Sequence, residues 1–576
     1  MNDTISVAPT VVAHLDDLPE GGMKMVKVDG HRVLLVRTSD GVHAIDHACP
    51  HEGYGLSQGS LDGDLITCQW HNWKFRVSDG ECVVGEEAVR VHDVEIADDG
   101  SISVELDRPS PEELRPQLLA SLRRGIEKDY TGQVARDVVR LLQNDGDPGE
   151  MIWQAVAHGA PRGEFGWGHS IASATDCLQM LDLYEGDQRA LPIVQGISGV
   201  AQMMRDRPEQ PLADPRRDGS VDLETFRGAV EREDLAGAQS LVRGAIDRGD
   251  DASELHRWFA AAVSDHHLSY GHGAIYTQKA FELLELLGWE RADTVLPHLV
   301  TGVVYGTRED TLPYMRPFLR PLAAVDLGAL ADRAFEASGR NDGWHDDGRL
   351  SAALLGSDRA APVQAIVDAI HEGASLDHLL DVIVDAVSIR MLRYDTDKEF
   401  DFHDDFGWLD ITHGLTYANA VRFHLEGVGD DDRRRGDLVR MVMWCAFQAN
   451  WTGRHEWHTG VGPVDEITPI STDVVEYGDA LQRTSLLDGT TAFIVHAHAV
   501  KTSRAAALEA RRRSSLLPLD AAARFLAAPK LERFVAATVE RSIDFLSGRA
   551  ARKRAAASSG RRLDRRRASS AAAREV

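Results

Sequence analysis

The sequence predicts a multidomain protein in which a small all-β N-terminal domain is followed by a large all-α domain of repeated helical hairpins. Three observations support this prediction. The chain has 576 residues, which is too many for a single hydrophobic core. Over residues 22–106, apolar residues alternate or form short runs between turn signals, as in β-strands. From about residue 113 the chain is rich in Leu and Ala at helical spacing.

Residues 1–107 form the predicted β domain. The runs KMVKV, RVLLVR and VHAID have the composition of strands, and Asp-Gly pairs recur between the apolar segments. Asp-Gly is the residue pair that two-residue hairpin turns favour, because Gly tolerates a positive φ. We therefore expect an antiparallel domain that carries the loops around residues 49–51 and 68–71 at one tip.

Each of these two loops combines one cysteine with one histidine. Cys49 and His51 form the first pair, and Cys68 and His71 form the second. Two thiolates and two imidazoles suit a [2Fe–2S] cluster in which the cysteines bind one iron and the histidines bind the other. A Cys₂His₂ zinc site is the alternative, but zinc fingers group like ligands together and place the histidines on a helix. The mixed pairs therefore favour the cluster.

The segment CPHEGYGL…LITCQWHNWKFRVSDGEC resembles the Rieske domain of ferredoxins and oxygenase components. The resemblance rests on loops of the types C-P-H-x-G and C-x-W-H-x-W-x-F, and it covers about residues 10–107. It implies that the four residues named above hold a [2Fe–2S] cluster. High-potential Rieske proteins carry an additional cysteine in each loop, joined as a disulfide, whereas Tyr54 and Trp70 occupy those places here. The resemblance therefore implies a low-potential centre, near the lower end of a range of about −150 to +300 mV.

Composition excludes several classes of function. The net charge is −28, and residues 548–576 alone carry ten basic and two acidic residues, so the remainder carries about −36 (−28 minus 8). An acidic body of this kind argues against specific nucleic-acid binding. No apolar run is long enough to cross a membrane, and five scattered cysteines show no disulfide framework. A reducing, cytoplasmic location fits these features.

The remaining domain limits follow from changes in composition. Residues 108–112 contain Pro109, Ser110 and Pro111 and form the predicted linker, with Ser110 or Pro111 opening the first helix. Residues 113–547 form the predicted helical, histidine-rich domain. Residues 548–576 are an Ala/Ser/Arg-rich segment, which we predict to be a disordered basic tail.

A weak repeat runs through the helical domain. Four similar segments each place a histidine at a predicted helix head, with Ser, Tyr or Thr four residues later. The histidines could hold a metal or orient a substrate in one shared cavity, or each could simply cap a helix or pack against the next unit. These candidate catalytic residues are His169, His272, His413 and His498.

Two further candidates lie in loops rich in histidine and carboxylate. His267 stands in SDHHLSYGH, and Asp410 stands in FDFHDDFGWLDITH. Mixed ligands of this kind suit a second, non-haem iron. The iron site of the usual Rieske oxygenases has the pattern D-x-x-H-x-x-x-x-H, but here Asp265 precedes His267 by one residue too few. The helical body also differs from the β-rich catalytic domain of those enzymes, so their iron ligands are not transferred.

The helical domain is similar, more faintly, to the questin-oxidase-like family. This likeness lies in the H-x-x-x-[YT] helix heads and in DFGWLDITHGLTYANAVRF, over about residues 260–510. It implies oxidation of a small organic substrate. We therefore predict an oxidoreductase that passes electrons from an external ferredoxin or reductase to a site in the helical domain. The alternative is a non-catalytic electron carrier or redox-sensing protein whose helical repeats dock partners.

Overall fold

The computed structural model describes residues 10–338, 343–400, 406–427, 435–490, 492–530 and 535–547. The predicted disordered tail, residues 548–576, lies outside these ranges. The chain forms two compact units, one of residues 1–158 with 185–201 and the other of residues 159–184 with 202–576. The predicted domain limits stay a prediction.

The N-terminal part is built from ten antiparallel strands. One sheet has six strands in the order β1-β10-β9-β4-β3-β2, and the other has four in the order β5-β6-β7-β8. The strands are β1 (Thr10–His14), β2 (Met23–Val28), β3 (His31–Thr38), β4 (Gly41–Asp46), β5 (Ser60–Asp62), β6 (Leu65–Thr67), β7 (Lys74–Arg76), β8 (Cys82–Val84), β9 (Val91–Ile96) and β10 (Ser101–Glu105).

Local chemistry explains the hairpins, and burial explains the sheets. Asp29 and Gly30 join β2 to β3 with φ of 46° and 84°, the two left-handed residues that a tight hairpin turn requires. Leu34 of the larger sheet and Phe75 of the smaller sheet are fully buried in one core cluster. The predicted all-β N-terminal domain is confirmed.

Most of the described remainder is helical, as predicted. Ser110 caps the first helix and forms a capping box with Glu113. The helices are α1 (Pro111–Glu127), α2 (Thr131–Leu142), α3 (Pro148–Gly159), α4 (His169–Gln179), α5 (Ala190–Met204), α6 (Leu223–Glu231), α7 (Leu235–Arg248), α8 (Ala252–Asp265), α9 (His272–Leu287), α10 (Ala292–Tyr305), α11 (Arg316–Leu322), α12 (Leu327–Ser338), α13 (Arg349–Leu355), α14 (Ala361–His371), α15 (Leu376–Leu392), α16 (Trp408–Glu426), α17 (Arg435–Trp451), α18 (Glu456–Thr459), α19 (Val474–Ser485), α20 (Phe493–Arg513), α21 (Leu517–Ala527) and α22 (Val535–Leu546).

Helix α16 lies at the centre of the second compact unit. It packs against α9, α15, α17 and α20, while α4 packs against α9 and α20. Twelve consecutive positions of α16, residues 411–422, are buried, and so is residue 424, which is the pattern of a helix enclosed on all sides. Among the described residues, no helix has both the length and the hydropathy needed to cross a membrane.

The structure corrects the placement of two repeat histidines. His169 and His272 are the first residues of their helices, as predicted. His413 and His498 instead lie inside α16 and α20, because these helices begin earlier, at Trp408 and Phe493. Apolar residues before each histidine extend the helix, so the repeat does not mark a common helix start.

Candidate functional site

The two loops of the Cys–His motif have the same backbone shape. The Cys49 N–H donates to the Tyr54 carbonyl at 2.8 Å, and the Cys68 N–H donates to the Trp73 carbonyl at 2.8 Å. The fourth residue after each cysteine, Gly53 or Asn72, has a left-handed φ of 75° or 60°. Two loops of different sequence are therefore closed by equivalent hydrogen bonds, which turn both cysteines toward the core.

The cysteines lie inside and the histidines lie outside. Cys49 and Cys68 are each 2% exposed, whereas the His71 side chain is 41% exposed. The His51 and His71 rings approach within 4.4 Å between centroids, and His51 also stacks on Trp73 at 4.6 Å. The site therefore has a buried thiol side and an imidazole side that reaches the surface.

These donors fit a [2Fe–2S] cluster. The buried Nδ1 of His51 has no hydrogen-bond partner in the described structure. Burial, with the neighbouring Cys68 thiol, raises the pKa of Cys49 to about 12, so only a metal would hold it as a thiolate. Tyr54 and Trp70, at the places of the additional cysteines, stack at 4.3 Å. Where high-potential domains have a disulfide, this loop pair is joined by aromatic packing.

The four repeat histidines of the helical region converge. Neighbouring ring centroids are separated by 4.4 Å (His272 to His413), 4.9 Å (His413 to His498), 4.5 Å (His498 to His169) and 4.8 Å (His169 to His272). One ligand atom from each of His169, His272 and His413 falls within 4.8 Å of the other two. Residues more than three hundred positions apart thus form one histidine cluster, defined by these four residues.

Three of the imidazoles turn the same nitrogen toward each other. His413 Nε2 lies 2.8 Å from His272 Nε2 and 3.3 Å from His498 Nε2. The Nδ1 atoms of His413 and His498 donate to carbonyls one helical turn earlier, those of Leu409 and Ile494. A neutral ring that donates from Nδ1 carries only a lone pair on Nε2. The Nε2 lone pairs of His413 and His498 therefore face each other, which no direct hydrogen bond between these two neutral rings can satisfy.

Protonation of the rings does not resolve this conflict. Burial, together with the Lys501 charge and neighbouring histidines, holds the pKa values of His169, His413 and His498 well below the ordinary value, and burial lowers that of His272 to about 3. The imidazoles are neutral at physiological pH. A bound cation is the partner that satisfies converging neutral imidazole nitrogens.

His169 differs from the other three histidines in its partner. Its Nδ1 lies 2.6 Å from Lys501 Nζ, one turn after His498 on the same helix. Burial lowers the pKa of Lys501 to about 7, and the Lys279 charge contributes to the shift. Sequence reasoning missed Lys501, although its i+3 spacing from His498 placed it on the same helix face.

A cavity of about 390 Å³ lies against the histidine cluster. His272 and Tyr276 line its inner wall, and the remaining wall is mainly apolar. Trp167 is 3% exposed there, and its indole N–H has no acceptor among the described residues. The cavity thus offers an apolar volume with a few polar groups, which is typical of small-molecule sites. Its apolar lining includes Phe165, Trp167, Leu299, Val303 and Tyr305.

The other two predicted residues have structural partners. His267 is fully buried and lies 3.4 Å from a Glu309 carboxylate oxygen. Asp410 accepts the Gly407 N–H at the start of α16 and pairs with Arg454 at 3.2 Å. Neither belongs to the histidine cluster as defined above. Asp265 forms ion pairs with Arg227 and Arg440, so it has structural partners and is not assigned as an iron ligand of the oxygenase type.

The chain is similar to known proteins in its N-terminal segment. Residues 8–95 match the family model of the Rieske [2Fe-2S] domain. A ferredoxin component of naphthalene 1,2-dioxygenase/salicylate 5-hydroxylase systems from Ralstonia sp. is 37% identical over 71 residues, which cover 12% of this chain and 68% of that protein. Apoptosis-inducing factor 3 from Mus musculus is 39% identical over 70 residues, only 12% of either chain.

One solved structure covers a similar segment. The ferredoxin of carbazole 1,9a-dioxygenase from Nocardioides aromaticivorans IC177 has 31% identity, covers 18% of this chain and all of that chain, and superposes with a TM-score of 0.17. The likeness of residues 260–510 to the questin-oxidase-like family stays a prediction. Through its N-terminal domain, with one Cys–His pair on each of two matching loops, this chain belongs to the Rieske [2Fe–2S] family.

Proposed function

We propose that this protein is a Rieske-type oxidoreductase whose histidine cluster holds a second metal, a non-haem iron. In this proposal an external ferredoxin or reductase supplies electrons to the N-terminal domain, and the helical region uses these electrons to reduce dioxygen, which is the oxidant of a small organic substrate. The observation that carries the proposal is the convergence of three Nε2 atoms, since those of His272 and His498 lie 2.8 and 3.3 Å from His413 Nε2. Imidazole is a common ligand of iron, and a redox-active metal gives the Rieske domain an acceptor.

A second buried histidine pair supports this interpretation by contrast. His256 Nε2 lies 2.8 Å from His424 Nδ1, and His424 Nε2 lies 3.2 Å from the Ala274 carbonyl. Here each N–H meets an acceptor, because one ring bonds through Nε2 and the other through Nδ1. A buried histidine pair in the same fold is thus satisfied without a metal, whereas the histidine cluster is not.

The cavity beside the cluster supports an apolar organic substrate. Its volume of about 390 Å³ and its aromatic lining suit an apolar substrate, and the phenol of Tyr276 and the indole N–H of Trp167 could bind a substrate oxygen. Burial raises the pKa of Tyr276, so its phenol keeps its proton. Tyr276 would therefore act as a hydrogen-bond donor.

The N-terminal domain would handle electrons. A [2Fe–2S] cluster carries one electron at a time when Cys49, Cys68, His51 and His71 hold it. Burial of the thiols shields that side from solvent, while the 41% exposure of the His71 side chain leaves the imidazole side open to a partner. The related Ralstonia and Nocardioides proteins are named as ferredoxins of dioxygenase systems, which supports an electron-transfer role. The free thiols fit the cytoplasm as its location.

Metal analysis of the full chain tests the proposal. We expect iron in excess of two per chain in the wild-type protein. His272→Ala and His413→Ala should lose the excess while keeping the visible spectrum of the cluster. The matched control, His424→Gln, changes a buried histidine of the satisfied pair and should retain the excess iron. Two irons per chain in the wild type, or zinc at the second site, would contradict the proposed redox centre and favour the electron-carrier alternative.

A further inference from the structure

The turn that leads into α9 has an unusual backbone. Ser269, Tyr270 and Gly271 adopt left-handed φ values of 47°, 58° and 90° in succession. A left-handed conformation costs a non-glycine residue about 1–2 kcal/mol, so a serine and a tyrosine in a row are unfavourable unless their surroundings hold them. Such a turn immediately before His272 indicates that the position of this residue is strongly determined.

A second segment of the chain holds the turn. The Ser269 N–H donates to the Thr307 carbonyl at 2.9 Å, and the Thr307 N–H donates to the Ser269 hydroxyl oxygen at 2.8 Å. The Tyr270 N–H donates to the Glu309 carboxylate at 2.5 Å. The Glu309 N–H in turn donates to the His267 carbonyl at 2.9 Å. The left-handed residues are therefore fixed by hydrogen bonds to residues 307–309.

Glu309 holds the turn through a charged side chain, and it is 1% exposed. Burial acts to raise its pKa, but contacts with His267, the Tyr314 hydroxyl and the Tyr270 N–H outweigh burial and lower the pKa below its usual value. Tyr314 donates to the carboxylate at 2.7 Å. The carboxylate thus stays ionised and ties the turn to two other side chains.

The turn supplies a hydrogen bond that the helix cannot supply. His413 and His498 donate from Nδ1 to carbonyls of the preceding helical turn, those of Leu409 and Ile494. His272 is the first residue of α9 and has no preceding helical turn. The Ser269 carbonyl instead accepts the His272 backbone N–H, and its contact with the ring acts to raise the pKa of His272 against burial. The turn thereby sets the His272 ring with its Nε2 atom 2.8 Å from His413 Nε2.

We propose that Glu309 is a positioning residue that holds the Ser269–Gly271 turn so that His272 presents Nε2 to the histidine cluster. This inference rests on the proposed metal site and assigns His267, a predicted catalytic residue, to the support of Glu309. Partners that orient a metal-bound histidine are commonly worth about 10- to 100-fold in metal affinity.

Titration with Co(II) tests the assignment in full-length protein that carries its cluster and has been freed of other metal. Glu309→Ala should weaken Co(II) binding about 10- to 100-fold and change the visible bands of the bound ion. Glu309→Gln keeps an acceptor for the Tyr270 N–H and should restore most of the affinity. The matched control is Glu231→Ala, which removes an exposed carboxylate 2.9 Å from the neighbouring His266 and should bind Co(II) as the wild type does.

The outcomes separate this inference from the proposed function. If the wild type fails to bind Co(II) at the histidine cluster, the metal site itself is wrong. If the wild type binds and Glu309→Ala binds with equal affinity and an identical spectrum, the positioning role alone is overturned. Should Glu309→Ala fail to fold, the Glu309→Gln variant decides. Wild-type affinity in Glu309→Gln supports an acceptor role, and a loss as large as that of a His272→Ala variant contradicts it.

Discussion

The molecule contains two histidine sites that are built in opposite ways. In the N-terminal domain, His51 and His71 stand two or three residues from a cysteine, on two loops closed by equivalent backbone hydrogen bonds. In the helical region, His169, His272, His413 and His498 come from four helices and meet only through packing.

This difference shows which site geometries a short sequence motif can specify and which require the whole fold. A loop can place a thiolate and an imidazole together almost anywhere, provided that one residue accepts a left-handed backbone, as Gly53 and Asn72 do. A site shared among helices needs every helix in register, and each ring needs its own partner to fix the tautomer, such as the Leu409 carbonyl for His413. The loop site therefore depends on a few residues, whereas the helical site depends on the whole fold.

The largest expected effect comes from the loop site. Cys68→Ala removes one of two thiols on the buried side, and we expect complete loss of the cluster, because a [2Fe–2S] centre needs all four ligands. Iron, acid-labile sulfide and the visible spectrum would measure the loss. Cys82→Ala is the control, since Cys82 lies on β8 outside the two loops, and it should keep the cluster. A cluster retained in Cys68→Ala would contradict the ligand assignment.

The second largest effect should come from acidification, which we expect to destabilise the histidine cluster. The four clustered histidines have folded-state pKa values below the ordinary 6.5, so the unfolded chain binds more protons than the folded chain below that pH. Their stabilisation is present above pH 6.5 and is lost as the pH falls from 6.5 toward the folded values. Each histidine contributes about 1.4 kcal/mol per pH unit, so four contribute roughly 5 kcal/mol per unit near pH 5.5.

Denaturant unfolding of metal-free protein between pH 7.5 and about 5.5 measures this slope. Replacing one histidine, as in His498→Gln, removes one proton from the difference in bound protons between the unfolded and folded chains. The free energy of unfolding should then change less with pH, by about 1.4 kcal/mol per pH unit. An unchanged slope would mean that His498 is charged in the folded protein, contrary to its burial. His345→Gln serves as the comparison, because His345 is exposed and lies outside the histidine cluster.

The sequence allowed much of this architecture to be predicted, and the limits have physical causes. The β domain, the helical region and the Rieske-type loops were predictable, because alternation, helical spacing and short Cys–His motifs are local signals. The four [2Fe–2S] ligands stay a prediction. The repeat suggested that His169 and His413 could meet. It could not reveal the Nε2 contacts or the roles of Lys501 and Glu309, because these depend on how distant segments pack. His267 was a candidate because its loop is rich in histidine and carboxylate, but in the structure it contacts Glu309 and does not belong to the histidine cluster.

A third prediction concerns the turn before α9. At Gly271, a Cβ would lie 2.5 Å from the Tyr417 ring, and φ is +90°. We expect Gly271→Ala to lower the free energy of unfolding by about 2–4 kcal/mol, the sum of backbone strain and ring overlap. Gly249→Ala is matched in backbone, with φ of +86°, but meets no atom within 4 Å. It should cost only the strain, about 1–2 kcal/mol. Equal losses would show that the turn does not pack on Tyr417.

The smallest expected effect concerns the exposed edge of the two loops that carry the Cys–His motif. Trp70 is 55% exposed and stacks on Tyr54 at 4.3 Å, so Trp70→Ala should lower the free energy of unfolding of the β domain by only about 0.5–1.5 kcal/mol. Its cluster spectrum should not change. Trp73→Ala is the matched comparison in the same loop.

Trp73 stacks on His51 at 4.6 Å and packs against the core, so its loss should cost about 3–5 kcal/mol and alter the cluster spectrum. Thermal and denaturant unfolding, followed at the visible bands, would separate the two tryptophans. A spectral change in Trp70→Ala as large as that in Trp73→Ala would mean that the Tyr54–Trp70 stack helps to hold the cluster. The aromatic pair would then replace the missing disulfide in function as well as in place.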